Sequence, residues 1–120
     1  MALTVKIHEA DGISILVLDG RMVFEEDMGS LRKSVKTLIA RGETRIALNL
    51  EHVLKIDSVG LGVLVAVHNT ASTRGVSLRL CNLAPQIKLV LQITKLLSVF
   101  EVTESEAEAV RALRGFGAGA

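Results

Sequence analysis

The pair Asp57-Ser58 stands between an apolar strand-like run, residues 45–50, and a second apolar run that begins at Val63. A carboxylate and a hydroxyl at such a junction can do two kinds of work. Their oxygens can accept the free N–H groups of a helix start, which makes both residues good N-caps. The hydroxyl can also take a phosphoryl group, because a helix N-terminus favours negative charge. Lys55 is the one cation close by in sequence. Gly60 and Gly62 follow, separated by Leu61. Without side chains they let the first helical turn lie close against neighbouring backbone. Capping alone, and capping beside a modifiable hydroxyl, are both compatible with this pattern.

Other chemistry has less support. Gly60-Leu61-Gly62 lacks the third glycine of a dinucleotide fingerprint, and no glycine-rich loop ends in Lys-Ser or Lys-Thr. A nucleophilic serine elbow needs glycine two residues before the serine, where this chain has Ile56. Asp57 gives Ser58 no general base by itself; it could instead position an incoming kinase, its metal ion or the hydroxyl. His8, His52 and His68 fall on three different elements without metal-ligand spacing. No catalytic residues, cofactor or metal are therefore expected, and the protein is not expected to be an enzyme. Cys81 is the single cysteine, so no intrachain disulfide is possible. Set in the apolar pattern of residues 77–81, it reads as a small buried hydrophobe in a reducing compartment.

The elements that must hold the Asp57-Ser58 junction follow from length and periodicity. A chain of 120 residues makes one domain, and at that length about two-thirds of the extended surface is buried. Its 49% hydrophobic content calls for a real core. Fourteen basic and 13 acidic residues leave a formal charge of +1, which argues against direct nucleic-acid binding or polybasic membrane attachment. With only Phe24, Phe100 and Phe116 as aromatics, a base-stacking platform is hard to build. No apolar run reaches the roughly 20 residues of a membrane span, and the start lacks a signal peptide's apolar segment. A cytoplasmic location without membrane insertion is expected.

Residues 4–8 alternate as a half-exposed strand, Ala10-Asp11-Gly12 marks a hairpin, and residues 13–18 form a denser second strand. Residues 21–24 read as a connector. Met28, Leu31, Val35, Leu38 and Ile39 recur at helical spacing, which predicts a helix over 25–41 with three acids at its head and Gly42 as its stop. A third strand over 45–50, a loop over 51–55 and a helix over 59–73 follow, with Leu61, Leu64, Val65 and His68 on one face. His68 is expected to bond a backbone carbonyl. Residues 76–81 make a fourth strand, Pro85 opens a short helix, and residues 99–102 make a fifth strand. Thr103 and Glu106 form a capping box for the last helix. Residues 115–120 are glycine-rich with few anchors and are expected to be a flexible tail. The order β-β-α-β-α-β-α-β-α implies a mixed, mostly parallel five-stranded sheet with four helices, its first strand antiparallel at the edge.

These motifs resemble the STAS-domain proteins of the bacterial anti-sigma-factor antagonist family. The resemblance covers nearly all of residues 3–113. It is strongest at Leu48-Asn49-Leu50 and at Ile56-Asp57-Ser58-Val59-Gly60-Leu61-Gly62-Val63-Leu64, which is similar to the family's Asp-Ser-Ser-Gly-Leu-Gly motif. Leu18-Asp19-Gly20-Arg21, Leu80-Cys81-Asn82-Leu83-Ala84-Pro85 and Ile93-Thr94-Lys95-Leu96-Leu97-Ser98-Val99-Phe100 support it. The resemblance implies a STAS domain over 3–114 in which Ser58 is the phosphoacceptor. It implies two partners: an anti-sigma factor that is also a serine kinase, and a serine phosphatase that acts on the phosphorylated form. The expected partner-binding set is Asp19, Arg21, Met22, Phe24, Asp57, Ser58, Val59, Gly60 and Leu61. Two departures stand out: Val59 replaces the family's second serine, and Met22-Val23-Phe24 replaces a polar acidic segment. The same resemblance allows a STAS subunit of another complex, such as a signalling assembly or a lipid-transport system.

Overall fold

A computed structural model describes residues 3–115. Five strands form one sheet in the order β1 (Thr4–Ala10), β2 (Ile13–Met22), β3 (Arg45–Ile56), β4 (Ser77–Cys81) and β5 (Glu101–Thr103). β1 is antiparallel to β2, and every other neighbouring pair is parallel. This is the mixed five-stranded architecture expected from the order of the elements. Asp11 and Gly12, both at positive φ, make the tight turn between β1 and β2, the two-residue geometry that matches the twist of paired strands.

The parallel strands are joined by α1 (Gly29–Ala40), α2 (Ser58–Thr73) and α3 (Pro85–Ile93), and α4 (Glu106–Arg114) closes the fold. Successive strand side chains point to opposite faces, so each strand feeds two cores. Leu16, Leu18, Ile46, Leu48, Leu78 and Leu80 pack on one face with Leu31 and Val35 of α1, Leu64 and Val67 of α2, and Leu91 of α3. Ile13, Ile15, Ala47 and Cys81 face the other way, under Ala109, Val110 and Leu113 of α4. Coverage of both faces explains why β2 reads as a dense apolar run rather than an alternating one.

Several boundaries differ from the sequence expectation. The segment 25–41 begins as a 3-10 turn, Glu25–Met28, and becomes α-helical only at Gly29. The turn closes through Asp27 N–H donating to the Phe24 carbonyl and is fixed by Leu3 N–H donating to the Asp27 carbonyl. Residues 51–55 are strand, not loop, and residues 19–22 belong to β2 rather than to a connector. Thr103 does not cap α4. It pairs with Cys81 at the end of β5 and its hydroxyl donates to the Leu80 carbonyl. Ser105 takes the cap instead, accepting from Glu108 N–H at 3.2 Å. The fifth strand accordingly lies at Glu101–Thr103 rather than 99–102. Of the tail expected over 115–120, all but Gly115 lies outside the described residues.

Candidate functional site

β2 and β3 outrun the rest of the sheet. β4 leaves β3 at the Asn49–Cys81 pair, whereas β2 stays with β3 as far as Met22–Ile56. β1 accompanies β2 as far as the Thr4–Asp19 pair, so this overhang becomes two-stranded only beyond Asp19, and it is bulged twice. Between the pairs Val17–Asn49 and Asp19–His52, Leu50 and Glu51 oppose the single residue Leu18. Between Gly20–Val53 and Arg21–Lys55, Leu54 is the extra residue. Each bulge resets which residues point inward. That is why Leu50, Val53 and Ile56 are all buried at a spacing of three while Leu54 faces solvent at 64% exposure.

The overhang delivers the chain to the head of α2. Asp57 is its N-cap: Oδ1 accepts from Val59 N–H at 2.9 Å and from Gly60 N–H at 3.3 Å, and the Asp57 carbonyl accepts from Leu61 N–H at 2.8 Å. Ser58 is therefore the first helical residue and is exposed, and among the described residues its hydroxyl makes no hydrogen bond. Asp57 N–H donates to the Met22 carbonyl at 3.4 Å, which ties the helix start to the end of β2. At Gly60 the two backbones meet so closely that a Cβ there would lie 2.0 Å from the Met22 oxygen. The expectation of close glycine packing thus holds for Gly60 but not for Gly62, which has nothing within 4 Å of its missing Cβ.

The structure divides the residues singled out from the sequence. Asp19, Arg21, Phe24, Ser58 and Val59 are exposed, Asp57 is half-buried, and all belong to the overhang or the chain just beyond it. Met22 and Gly60 are buried, and Leu61 is 8% exposed, so these three support the rim from beneath and cannot form its outer surface. Met22 turns inward because it is the last residue of β2, paired with Ile56, rather than part of a free connector. Phe24 at 58%, Val59 at 37% and Leu54 are the exposed apolar residues of the overhang and of the chain just beyond it. The residues missed from sequence were Leu54 and the buried Asn49. Their signal was the apolar spacing of three in β3, which a two-residue strand period does not produce.

Groups elsewhere are engaged or enclosed. His8 Nε2 lies 3.3 Å from Glu106, His52 sits on β3 rather than in a loop, and His68 packs edge-on against Phe100 with ring centroids 5.3 Å apart. The expected carbonyl partner of His68 is absent: its Nδ1 is buried with no hydrogen bond among the described residues. Cys81 is buried, and its thiol is pushed up to about 12, first by loss of solvation and then by the charges of Glu106 and Glu51. It is a neutral packing group at physiological pH. Among the described residues no cluster of three His, Cys, Asp or Glu could hold a metal ion, and no helix is long and apolar enough to cross a membrane.

The five-stranded mixed sheet with four helices is STAS-like, and the STAS domain family model matches residues 4–109. The chain belongs to the STAS-domain family and is a homologue of anti-sigma-factor antagonists. It is 30% identical over 108 residues to BtrV of Bordetella bronchiseptica, assigned as an anti-sigma factor antagonist, covering 90% of this chain and 92% of that one. A crystal structure from Thermotoga maritima, given the same assignment, matches with a TM-score of 0.81 at 25% identity, covering 92% and 94% of the two chains. The Bacillus cell fate determinant SpoIIAA in its phosphorylated form shares the fold at a TM-score of 0.69 and 21% identity, covering 92% of this chain and all of that one. Antagonists of this family are regulatory binding proteins, not enzymes.

Proposed function

We propose that this protein is an anti-sigma-factor antagonist that works in the cytoplasm by docking an anti-sigma factor with serine-kinase activity, and that phosphorylation of Ser58 ends the docking. The observation that carries this reading is the exposed Ser58 hydroxyl, without a hydrogen bond among the described residues, beside an Asp57 carboxylate that already serves helix N–H groups. The docking surface comprises Asp19, Arg21, Phe24, Asp57, Ser58 and Val59, extended by Leu54 and backed by Met22, Gly60 and Leu61. Sequestering the anti-sigma factor frees its sigma factor, and a serine phosphatase resets the switch.

The electrostatics favour disruption at the interface rather than refolding. A phosphate adds roughly −1.5 to −2 charges at neutral pH. Two N–H groups of the first turn of α2, those of Val59 and Gly60, are already taken by Asp57, so the new charge shares the helix head with a carboxylate one residue away. Pressed against a partner, it would be an unpaired buried charge, which is strongly unfavourable. The backbone around Ser58 has no reason to move. The fold likeness to SpoIIAA in its phosphorylated form fits a switch that keeps the fold.

The test is incubation of the full chain with candidate anti-sigma-factor kinases and ATP, read by mass spectrometry and by binding of the kinase. One phosphate at Ser58, absent in Ser58→Ala, with binding lost on phosphorylation, is the expected result. Stable copurification with a transport ATPase, and no phosphorylation by any of these kinases, would replace this reading with that of a subunit of another complex.

A further inference from the structure

We propose that Asn49 is the positioning residue of the switch: it pins the first bulge of β3 and, through Glu106, ties that bulge to the head of α4. The proposal rests on the docking reading above, because it concerns the overhang that carries the docking surface. Asn49 is 4% exposed and stands at the last position where β3 is paired on both sides. A buried amide needs partners for its donors and its acceptor, and both partners here are informative. Oδ1 accepts from Glu51 N–H at 2.9 Å. Glu51 is the residue that the first bulge takes out of register with β2, so the side chain serves a backbone donor that the ladder has lost.

Nδ2 donates to Glu106 Oε2, on the first residue of α4. The two bonds allow only one orientation of the amide, since a backbone N–H requires the oxygen and a carboxylate requires the NH2. One side chain thus joins the covered face under α4 to the bulged strand. That bulge turns Val53 inward and leaves Leu54 facing solvent, and the second bulge, which follows it, returns Ile56 to the inner face.

Three substitutions separate the two bonds. Asn49→Leu fills the volume and removes both. Asn49→Asp keeps an oxygen for Glu51 N–H and removes the donor to Glu106. Glu106→Ala leaves Asn49 in place without its anchor. Site-resolved amide hydrogen exchange on the full chain reads the outcome without any partner. In Asn49→Leu the Glu51 amide is expected to exchange on the order of tenfold faster, the loss of one hydrogen bond. Val53 and Lys55 should follow it, while Ile46 and Leu48 keep their rates. Glu106→Ala, which leaves the Asn49 oxygen in place, should lose only a smaller part of the protection at Glu51, and Asn49→Asp, which keeps an oxygen but sets a carboxylate against Glu106, should fall between it and Asn49→Leu. Phosphorylation of Ser58 should slow most in Asn49→Leu and least in Glu106→Ala.

Wild-type exchange at Glu51 in a folded Asn49→Leu variant would overturn the proposal. So would faster exchange spread evenly over the sheet, which marks only a general loss of stability. If the exchange pattern appears but the wild-type chain is never phosphorylated, the pinning stands and the docking reading fails.

Discussion

Helices α2 and α4 both begin at a strand end with a side-chain cap, yet they leave opposite things uncovered. At α4 the cap is Ser105 itself: its hydroxyl accepts from Glu108 N–H, and the Glu108 carboxylate accepts from Glu104 N–H at 3.0 Å. Glu106 beside it is held by Asn49 and His8. At α2 the cap is Asp57, one position earlier, and the serine falls just outside the capping bonds. A serine at a helix head is therefore not in itself an acceptor. What matters is whether a neighbour has taken over the capping, and a one-residue offset decides it. The heads also differ in setting, because α4 closes over a covered sheet face whereas the first residues of α2, Ser58 and Val59, are exposed.

The contrast can be broken most forcefully at Gly60. A methyl group there would meet the Met22 carbonyl at 2.0 Å and the Met22 Cβ at 2.8 Å, and the backbone oxygen cannot step aside as a flexible side chain could. Gly60→Ala should lower stability by about 3 kcal/mol, at the upper end of overpacking costs, because the head of α2 must lift from β2. Gly62→Ala, with open space around it, should instead stabilise by up to about 1 kcal/mol through helix propensity. Urea unfolding of both variants checks this. Equal effects would mean that the head of α2 is not seated on β2 as described.

The α4 side can be tested through the thiol it covers. Cys81 ionises near 9 in its ordinary state and at about 12 in the fold. Between these values the unfolded chain has released the proton and the folded chain has kept it. The unfolded state then binds fewer protons, so stability falls as pH rises through that window and is unaffected by this group below it. Cys81→Ala should flatten that alkaline decline. At pH 8 iodoacetamide should label wild-type Cys81 only as fast as the chain unfolds. Rapid labelling of the folded protein would show that the α4 face is open after all.

These contrasts also mark what could be read in advance. Local periodicity sufficed for β1, for most of β2, for the body of α1 and for the body of α2, since each depends on neighbours in sequence. It misread residues 51–55, because two bulges turn a two-residue strand period into the three-residue spacing of Leu50, Val53 and Ile56. The bulges are a property of the pairing with β2, which no local window contains. The misplaced α4 cap has the same origin. Thr103 and Ser105 each stand three residues before a glutamate, and only the pairing of Thr103 with Cys81 removes it from the competition. Ser58 was legible as a candidate. Its freedom was not, because that depends on which oxygen the Val59 and Gly60 N–H groups choose.

The smallest expected effects discriminate best between the two heads. Asp57→Ala and Ser105→Ala each remove a working cap and should each cost about 1 kcal/mol, read as a shift of the urea midpoint at unchanged slope. Ser58→Ala removes a hydroxyl that makes no bond among the described residues, and it should stay within about 0.5 kcal/mol of wild type. Alanine at an exposed first-turn position even gains slightly in helix propensity. If Ser58→Ala instead costs as much as Ser105→Ala, the hydroxyl shares in holding the helix. Phosphorylating it would then loosen the head of α2, and the switch would act through the fold rather than through the surface.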